Sequence, residues 1–552
     1  MKSMQKKWAE RDDLNRVEHI KQQKDGLDTA DEIAKGIARP FDEIKYEDVE
    51  RMKWAGLLHQ RPRDGHFIIH IRLASGELTA DQAEAVADIA EKYGGRDITI
   101  TTRQALQIHD VDYDRIAEAL QELNKAGLMS IEADGDSIRN ITGNPLMGVD
   151  PEELFDTTGV VRELERAFVG NPEFSDLPRK FKISVSANPH DCGFARTNDI
   201  GFLPAIYDDG GNEIKGFKAY LGGGVSGQMP VLAQQTPFFL RPDDVVCFTR
   251  AVVEIFRDNG YRGMRSRTRF KYLVQETGIE ELCRMIEEKA GSFLKGGRDI
   301  TAEWNYGVFY GIHEQKQPGY FYAGFHVPCS LISPSELRMI AAVSVKYGSG
   351  RLRTTNAQNM LILDIPDDRI DEFEREKIFG SLPLNPGMFQ GYASACSGNE
   401  FCNFAVMETR RRLAHITGQM EEIFPEIDHP FRITLSGCGA CCALPQAADI
   451  GLQCTRGMLD GKVTEAFFIY AGGTLGSDAH LGIMLDGKVT EENLMPALCD
   501  MIRYYRNHRN AGERFCEMIS RVGIEAFQDI VNDYCIPEKI DKQKETSHCV
   551  TL

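Results

Sequence analysis

The chain lacks any run of about 18 consecutive apolar residues, the length a helix needs to cross a bilayer. Its first stretch, MKSMQKKWAERDDLNRVEHIKQQKDGLDTADEI, is charged throughout and has no apolar segment of the secretory-leader kind. These two lacks exclude membrane spans and a membrane partner, and predict a cytoplasmic protein. Positive charge is short as well. With 64 Lys and Arg against 83 Asp and Glu, the net charge is −19. That is the wrong sign for a surface that replaces counterions around a duplex, so nucleic acid is not an expected partner. The glycine-rich stretch GGGVSG lacks the strand–GxGxxG–helix setting of a dinucleotide fold, which excludes a nicotinamide or flavin domain there.

What is present is globular. Apolar residues make up 42% and aromatics 9%, well away from disorder. A chain of 552 residues predicts about two to four domains. Fourteen cysteines in a cytosolic chain point to metal or redox chemistry before disulfides. Cys247, Cys283, Cys499 and Cys516 sit in apolar helical patterns and read as buried bystanders.

The chain is also written twice. GHFIIHIRLASGELTADQAEAVADIAEKYGGRDITITTRQALQI starts at Gly65, and GYFYAGFHVPCSLISPSELRMIAAVSVKYGSGRLRTTNAQNMLI at Gly319. Both read strand, turn, amphipathic helix, strand. SIRNITGNP then matches YASACSGNE, FKISVSANPHDCGFARTNDIGF matches FRITLSGCGACCALPQAADIGL, and GFKAYLGGGVSG matches AFFIYAGGTLG. Four matches in one order indicate a duplication. Aligned by letters, Arg139 pairs with Ser394, Arg103 with Asn356, Asn188 with Cys438, and Cys192 with Cys442. The first half is cationic where it matches (His70, Arg72, Arg103, Arg139, Lys180, Lys182). The second carries Cys396, Cys402, Cys438 and Cys442.

Cys396 and Cys402 form C-x5-C, and Cys438 and Cys442 form C-x3-C. Neither is the C-x2-C knuckle of structural zinc sites. Four thiolates from two separated loops suit a [4Fe–4S] cube, with zinc or buried structural cysteines as alternatives. In LPRKFK, Lys180 and Lys182 alternate along a strand, so both ammoniums share a face. A solvated strand face is the plain reading. With Arg103 and Arg139 added, the set also suits a carboxylate or small oxyanion.

These residues resemble the sirohaem- and [4Fe–4S]-dependent nitrite and sulfite reductases, over about residues 45 to 530. The likeness is carried by TTRQALQIH, IRNITGNP, LPRKFK, the glycines at 222–224, ACSGNEFC and SGCGACC. It implies an internally duplicated three-domain α/β (α+β) fold with pseudo-two-fold halves. The expected division is a helical extension over 1–60 and duplicated ferredoxin-like half-domains over 61–130 and 311–375. A cationic sirohaem lobe over 131–310 and a cluster lobe over 376–552 complete it.

By the same resemblance Cys396, Cys402, Cys438 and Cys442 hold the cluster, and Cys442 bridges it to the sirohaem iron. Arg103, Gln107, His109 and Arg179 belong to the sirohaem set, while Arg139, Lys180 and Lys182 face the substrate. His70 stands where the family commonly has arginine and is a candidate proton donor. The usual C-P-N-G-C is C-G-A-C-C here, which puts Cys441 where the family has glycine. Cys192 reads as a relic of the duplication.

The retained second lysine, Lys182, favours sulfite, reduced by six electrons to sulfide. The alternative is assimilatory reduction of nitrite to ammonia, and a remote alternative is a non-catalytic sirohaem or Fe–S protein. Electrons are expected from a ferredoxin or another low-potential donor. RNHRNAGERF and METRRRL are candidate docking runs, or plain solvated helix faces. The tail KIDKQKETSHCVTL reads as mobile, with Cys549 an exposed thiol.

Overall fold

The computed structural model describes residues 13–36, 40–95 and 97–536. The tail with Cys549 lies outside the described residues.

The duplicated segments build two small antiparallel sheets. In the first, His66–Ile71 and Leu106–Asp112 are central, and the helix Ala80–Ile89 starts on a capping box of Thr79 and Gln82. In the second, Tyr320–Phe325 and Met360–Pro366 are central. Its helix Pro334–Tyr347 starts on a capping box of Ser333 and Glu336, with proline in the first turn. These caps satisfy amide groups that open helix ends leave free.

Each sheet ends on a strand borrowed from the other half. Leu331–Ile332 closes the first sheet and Glu77–Thr79 closes the second. The registers mirror each other, with Leu78 opposite Leu352 and Ile332 opposite Ile98. The exchange merges the two sheets over one core that contains Leu78, Ile98, Ile332 and Leu352.

Two larger lobes follow the same plan, each with its own core. One pairs Thr142–Gly143, Ile183–Val185 and the hairpin Ile200–Asp209/Asn212–Leu221. The other pairs Ser394–Ala395, Ile433–Ser436 and the hairpin Ile450–Leu459/Lys462–Ala471. The hairpins turn on Gly210-Gly211 and Asp460-Gly461, all four at positive φ, as two-residue turns matched to strand twist require. Asp199 and Asp449 hold matching places: each accepts a 2.8 Å hydrogen bond from a backbone amide, that of Lys182 and of Arg432 respectively.

Strand register corrects two of the letter-by-letter pairings. Thr142 lies opposite Ser184 and Ser394 opposite Thr434, so Thr142, not Arg139, is the counterpart of Ser394. Ile100 pairs with Leu106 and Thr354 with Met360, which places Asn356 level with Thr102 rather than Arg103. The shared T/S-G-N and TT letters are loop chemistry, whereas position is set by the ladder of backbone hydrogen bonds. The loops after the central lobe strands need no such correction. Asp191 and Cys441 have φ of 46° and 50°, and Phe194 and Leu444 both 56°, in keeping with Cys192 and Cys442 as counterparts.

The N-terminal helix Arg16–Gln23 lies on the first lobe, while the next, Gly26–Lys35, packs Ala30 and Ile33 into the core of the half-domains. Lys21 Nζ donates to Leu177 O at 2.9 Å, and Arg262 Nη1 to Glu18 Oε2 at 2.7 Å, with Glu18, Lys21 and Arg262 all buried. One bystander cysteine is corrected. Cys247 is exposed, because Val245, Phe248, Thr249 and Val252 define the inward face of the helix Val245–Asn259 and position 247 falls opposite.

Candidate active site

Cations of the first lobe and cysteines of the second meet where the lobes face each other. Thr102 Oγ1 donates to Cys442 O at 3.2 Å, joining the TTRQ turn to the C-x3-C loop. Arg103, next along that turn, donates from Nη1 to Asn198 Oδ1 at 2.8 Å and from Nη2 to Asn140 O at 2.5 Å. These acceptors are neutral. Burial, then the neighbouring Arg139, depress its pKa to about 9.

Lys180 and Lys182 flank buried Phe181 on the extended chain entering Ile183–Val185. Burial, Arg139 and Arg179 lower Lys180 to about 7, and burial, Arg103 and Lys180 hold Lys182 well below the usual lysine range. The Cys442 sulfur opposes both shifts, which puts it within electrostatic reach of the two lysines.

Three carboxylates hold the remaining cations. Asp134 Oδ1 accepts from Arg139 Nη1 at 2.6 Å while its Oδ2 meets His70 Nδ1 at 2.9 Å. Burial alone would raise Asp134; Arg139 and His70 outweigh it and bring the carboxyl to about 2. Asp136 accepts from Arg265 at 2.6 and 2.8 Å and lies 3.5 Å from Arg179 Nη1. Asp199 accepts from Arg269 at 2.9 and 3.1 Å. Sequence reasoning missed all three acids and both arginines. One signal was available: MRSRTRFK places Arg265, Arg267, Arg269 and Lys271 at every second position. Lys271 is held by three carbonyls, those of Gly224, Ser226 and Met229, at 2.6 to 3.0 Å.

Gln107 and His70 are cross-strand neighbours, opposite each other on Leu106–Asp112 and His66–Ile71. His109 is buried on the same strand, stacked on Phe401 at 3.8 Å and bonded through Nε2 to Thr99 Oγ1 at 2.7 Å.

The cysteine side comes from two loops. Cys396 follows the strand Ser394–Ala395, Cys402 ends the short helix Gly398–Phe401, and Cys438 and Cys442 follow Ile433–Ser436. Gly437 N donates to Cys396 Sγ at 3.1 Å. Burial raises the Cys438 thiol to about 11, with Cys442, Cys402 and Cys396 adding to the rise and the Ala440 amide opposing it. Cys441 stands apart. Its φ of 50° accounts for glycine being the usual residue, since a left-handed backbone disfavours a Cβ. Its thiol donates to Gln453 Oε1 at 3.4 Å and accepts from Gln446 Nε2 at 3.3 Å.

The donor set fits the two groups the resemblance implies. Among the described residues the half-buried Lys180, Lys182 and Arg103 have no carboxylate partner, and charges partly withdrawn from water in that condition favour an external anion. A macrocycle bearing many carboxylates, with an oxyanion beside it, answers that demand. Four thiols, with a backbone amide donating to the sulfur of Cys396, suit an iron–sulfur cube. Among the described residues no three His, Cys, Asp or Glu side chains converge on a single metal ion.

The candidate docking runs are largely neutralised. Arg506 pairs with Glu426, Arg514 with Glu303 and Glu517, and Arg412 with Glu465 and Glu491, while Arg410 is buried. No helix among the described residues is long and apolar enough to cross a membrane.

Comparison with known proteins agrees with this architecture. The family model for the nitrite and sulphite reductase 4Fe-4S domain matches residues 134–293 and 392–537. The one for the nitrite/sulfite reductase ferredoxin-like half domain matches 59–126 and 313–376. A ferredoxin–nitrite reductase of Synechococcus elongatus is 35% identical over 476 residues, covering 85% of this chain and 92% of the relative. The assimilatory ferredoxin-dependent nitrite reductase of Haloferax mediterranei is 30% identical, covering 90% and 89%. The solved structure of the Mycobacterium tuberculosis NirA protein superposes with a TM-score of 0.87 at 30% identity, covering 94% of this chain and 98% of that one.

These relatives overturn the sulfite reading, since the similar curated enzymes are ferredoxin–nitrite reductases. The physical reason lies in Lys182: burial, then the neighbouring Arg103 and Lys180, hold its pKa well below the usual lysine range, so its ammonium is a weaker basis for choosing the more highly charged anion. With both family models spanning most of its length, the chain belongs to the sirohaem- and [4Fe–4S]-dependent nitrite and sulfite reductase family of oxidoreductases.

Proposed function

We propose that this chain reduces nitrite to ammonia in a six-electron reaction, with a ferredoxin as electron donor. The observation that carries the reading is the pair of half-buried lysines, Lys180 and Lys182, which have no carboxylate partner among the described residues and lie within electrostatic reach of Cys442. The names of the similar enzymes supply the substrate and the donor.

Cys396, Cys402, Cys438 and Cys442 would hold the cluster. Arg103, Gln107, His109 and Arg179 would serve the sirohaem side chains. Bound there, the two cofactors would supply the electrons for the reduction.

The chain's own residues bind the anion and manage protons. Arg139, oriented by Asp134, offers a fixed guanidinium to a nitrite oxygen. Lys180, brought to about 7 by burial and by Arg139 and Arg179, gives up and regains a proton near neutral pH as oxygen leaves as water. His70, held through Nδ1 by the same carboxylate, keeps Nε2 for proton transfer.

Purified holoenzyme with reduced ferredoxin or methyl viologen tests the reading. Nitrite should disappear with ammonium formed in equal amount, and kcat/KM for nitrite should exceed that for sulfite. No nitrite consumption with both cofactors bound would sink it.

A further inference from the structure

The helix Arg410–Ile423 starts behind the loop of Cys396 and Cys402, and its first residue, Arg410, forms no ion pair with a carboxylate among the described residues. Arg410 is 3% exposed. Its Nη2 donates to Thr99 Oγ1 at 3.0 Å and Ser397 Oγ at 3.4 Å, while Nε and Nη1 have no partner. Its neighbours differ: Arg412 pairs with Glu465 and Glu491, and Arg411 is largely exposed. Glu400 and Glu408 favour the Arg410 charge from a distance, but their oxygens are engaged elsewhere. Glu408 caps the helix by accepting from the amides of Arg411 and Arg412 at 2.9 and 3.0 Å, and Glu400 lies 3.9 Å from Arg411. A buried, half-satisfied guanidinium is costly unless an anion lies beside it.

The anion on offer is sulfur. Thr409, adjoining Arg410, donates to Cys396 O at 2.6 Å and lies 3.9 Å from Cys396 Sγ. Ser397, which Arg410 grips, is the residue after Cys396. After the cost of burial, the Cys396 sulfur is the largest influence on the Arg410 charge, and once ionised it favours that charge. The other face is clamped. Thr99 Oγ1 bonds His109 Nε2 at 2.7 Å, and His109 stacks on Phe401, which precedes Cys402.

We propose that Arg410 is the buried counter-charge of the iron–sulfur cluster, held by Thr99 and His109 so that its fixed charge favours the reduced state. The proposal rests on the assignment of Cys396, Cys402, Cys438 and Cys442 as ligands. The step it governs is uptake of one electron from the donor protein; no bond is made or broken. Each electron makes the cluster more negative, and in a low-dielectric interior a nearby cation stabilises that state strongly. Arg410 and Thr99 are therefore positioning and tuning residues, acting through the cluster rather than on substrate.

The test is an EPR-monitored redox titration of holoenzyme with iron quantified, for wild type, Arg410→Gln and Arg410→Lys. With iron retained, Arg410→Gln should reduce the cluster's reduction equilibrium tenfold or more, a negative shift of about 59 mV for one electron. Arg410→Lys should stay much nearer wild type. An unchanged midpoint in Arg410→Gln overturns the proposal and leaves the ligand assignment standing. Wild-type protein without an iron–sulfur signal overturns the assignment itself. If Arg410→Gln loses iron, Arg410→Lys decides: full iron with a near-wild-type midpoint supports the charge, and lost iron or a tenfold shift overturns it.

Discussion

Gln104 and Gln358 exchange the same hydrogen bond across the pseudo-two-fold axis. Gln104 Nε2 donates to Thr354 O and Gln358 Nε2 to Ile100 O, both at 3.1 Å. The far end of each amide reaches a lobe: Gln104 Oε1 accepts from Gly143 N at 2.9 Å, and Gln358 Oε1 from Ser394 Oγ at 2.6 Å. Both residues are at positive φ, 54° and 64°. Two side chains thus tie the exchanged half-domains to each other and to the lobes that carry the site.

Gln104→Ala should leave a buried amide and a buried carbonyl without partners, at a cost of about 1–3 kcal/mol. Hydrogen exchange at the Gly143 amide reads this locally. Protection there should fall in Gln104→Ala and hold in Gln358→Ala; unchanged protection in the first variant contradicts the tie.

Asp134 makes stability acid-sensitive. Its carboxyl lies at about 2 against an ordinary 3.8, so the folded state favours the ionised form. The stabilisation is present above pH 4 and is lost as pH falls from there through about 2. A shift of nearly two units corresponds to about 2 kcal/mol. Denaturation of Asp134→Asn and wild type across this window should show the gap between them closing as pH drops. A gap independent of pH speaks against the charge.

Lys180 should set the alkaline side of nitrite binding. With its pKa near 7, the ammonium is lost as pH rises through that value, so KM for nitrite should climb above neutrality. Lys180→Met should flatten the climb and lower kcat/KM by about 10²-fold or more, the scale for removing one oxyanion donor. Sirohaem absorption checks that the cofactor is still bound.

The three clustered cysteines should separate by iron content. Cys438→Ala and Cys442→Ala are expected to lose cluster iron, while Cys441→Gly keeps it. Glycine relieves about 1 kcal/mol of left-handed strain at φ 50° and forfeits the weak bonds to Gln446 and Gln453. Cys192→Ala, buried in the other lobe, should leave iron unchanged. Iron loss in Cys441→Gly would make that residue part of the site.

The sequence alone determined the duplication, the polarity of its halves and the two cysteine loops. These are matters of residue type and spacing, and they survive without coordinates: period two for Lys180 and Lys182, helical period before KYG, fixed intervals between thiols. Which residue of one half stands beside which of the other was decided only by tertiary structure. Letters placed Arg139 with Ser394, whereas strand register gave that place to Thr142. The exchanged strands Glu77–Thr79 and Leu331–Ile332, the Asp134 bridge between His70 and Arg139, and Arg410 beneath the cysteines left no local pattern to read. Burial and electrostatics depend on distances between residues far apart in the chain, and a linear spacing rule carries no information about those distances.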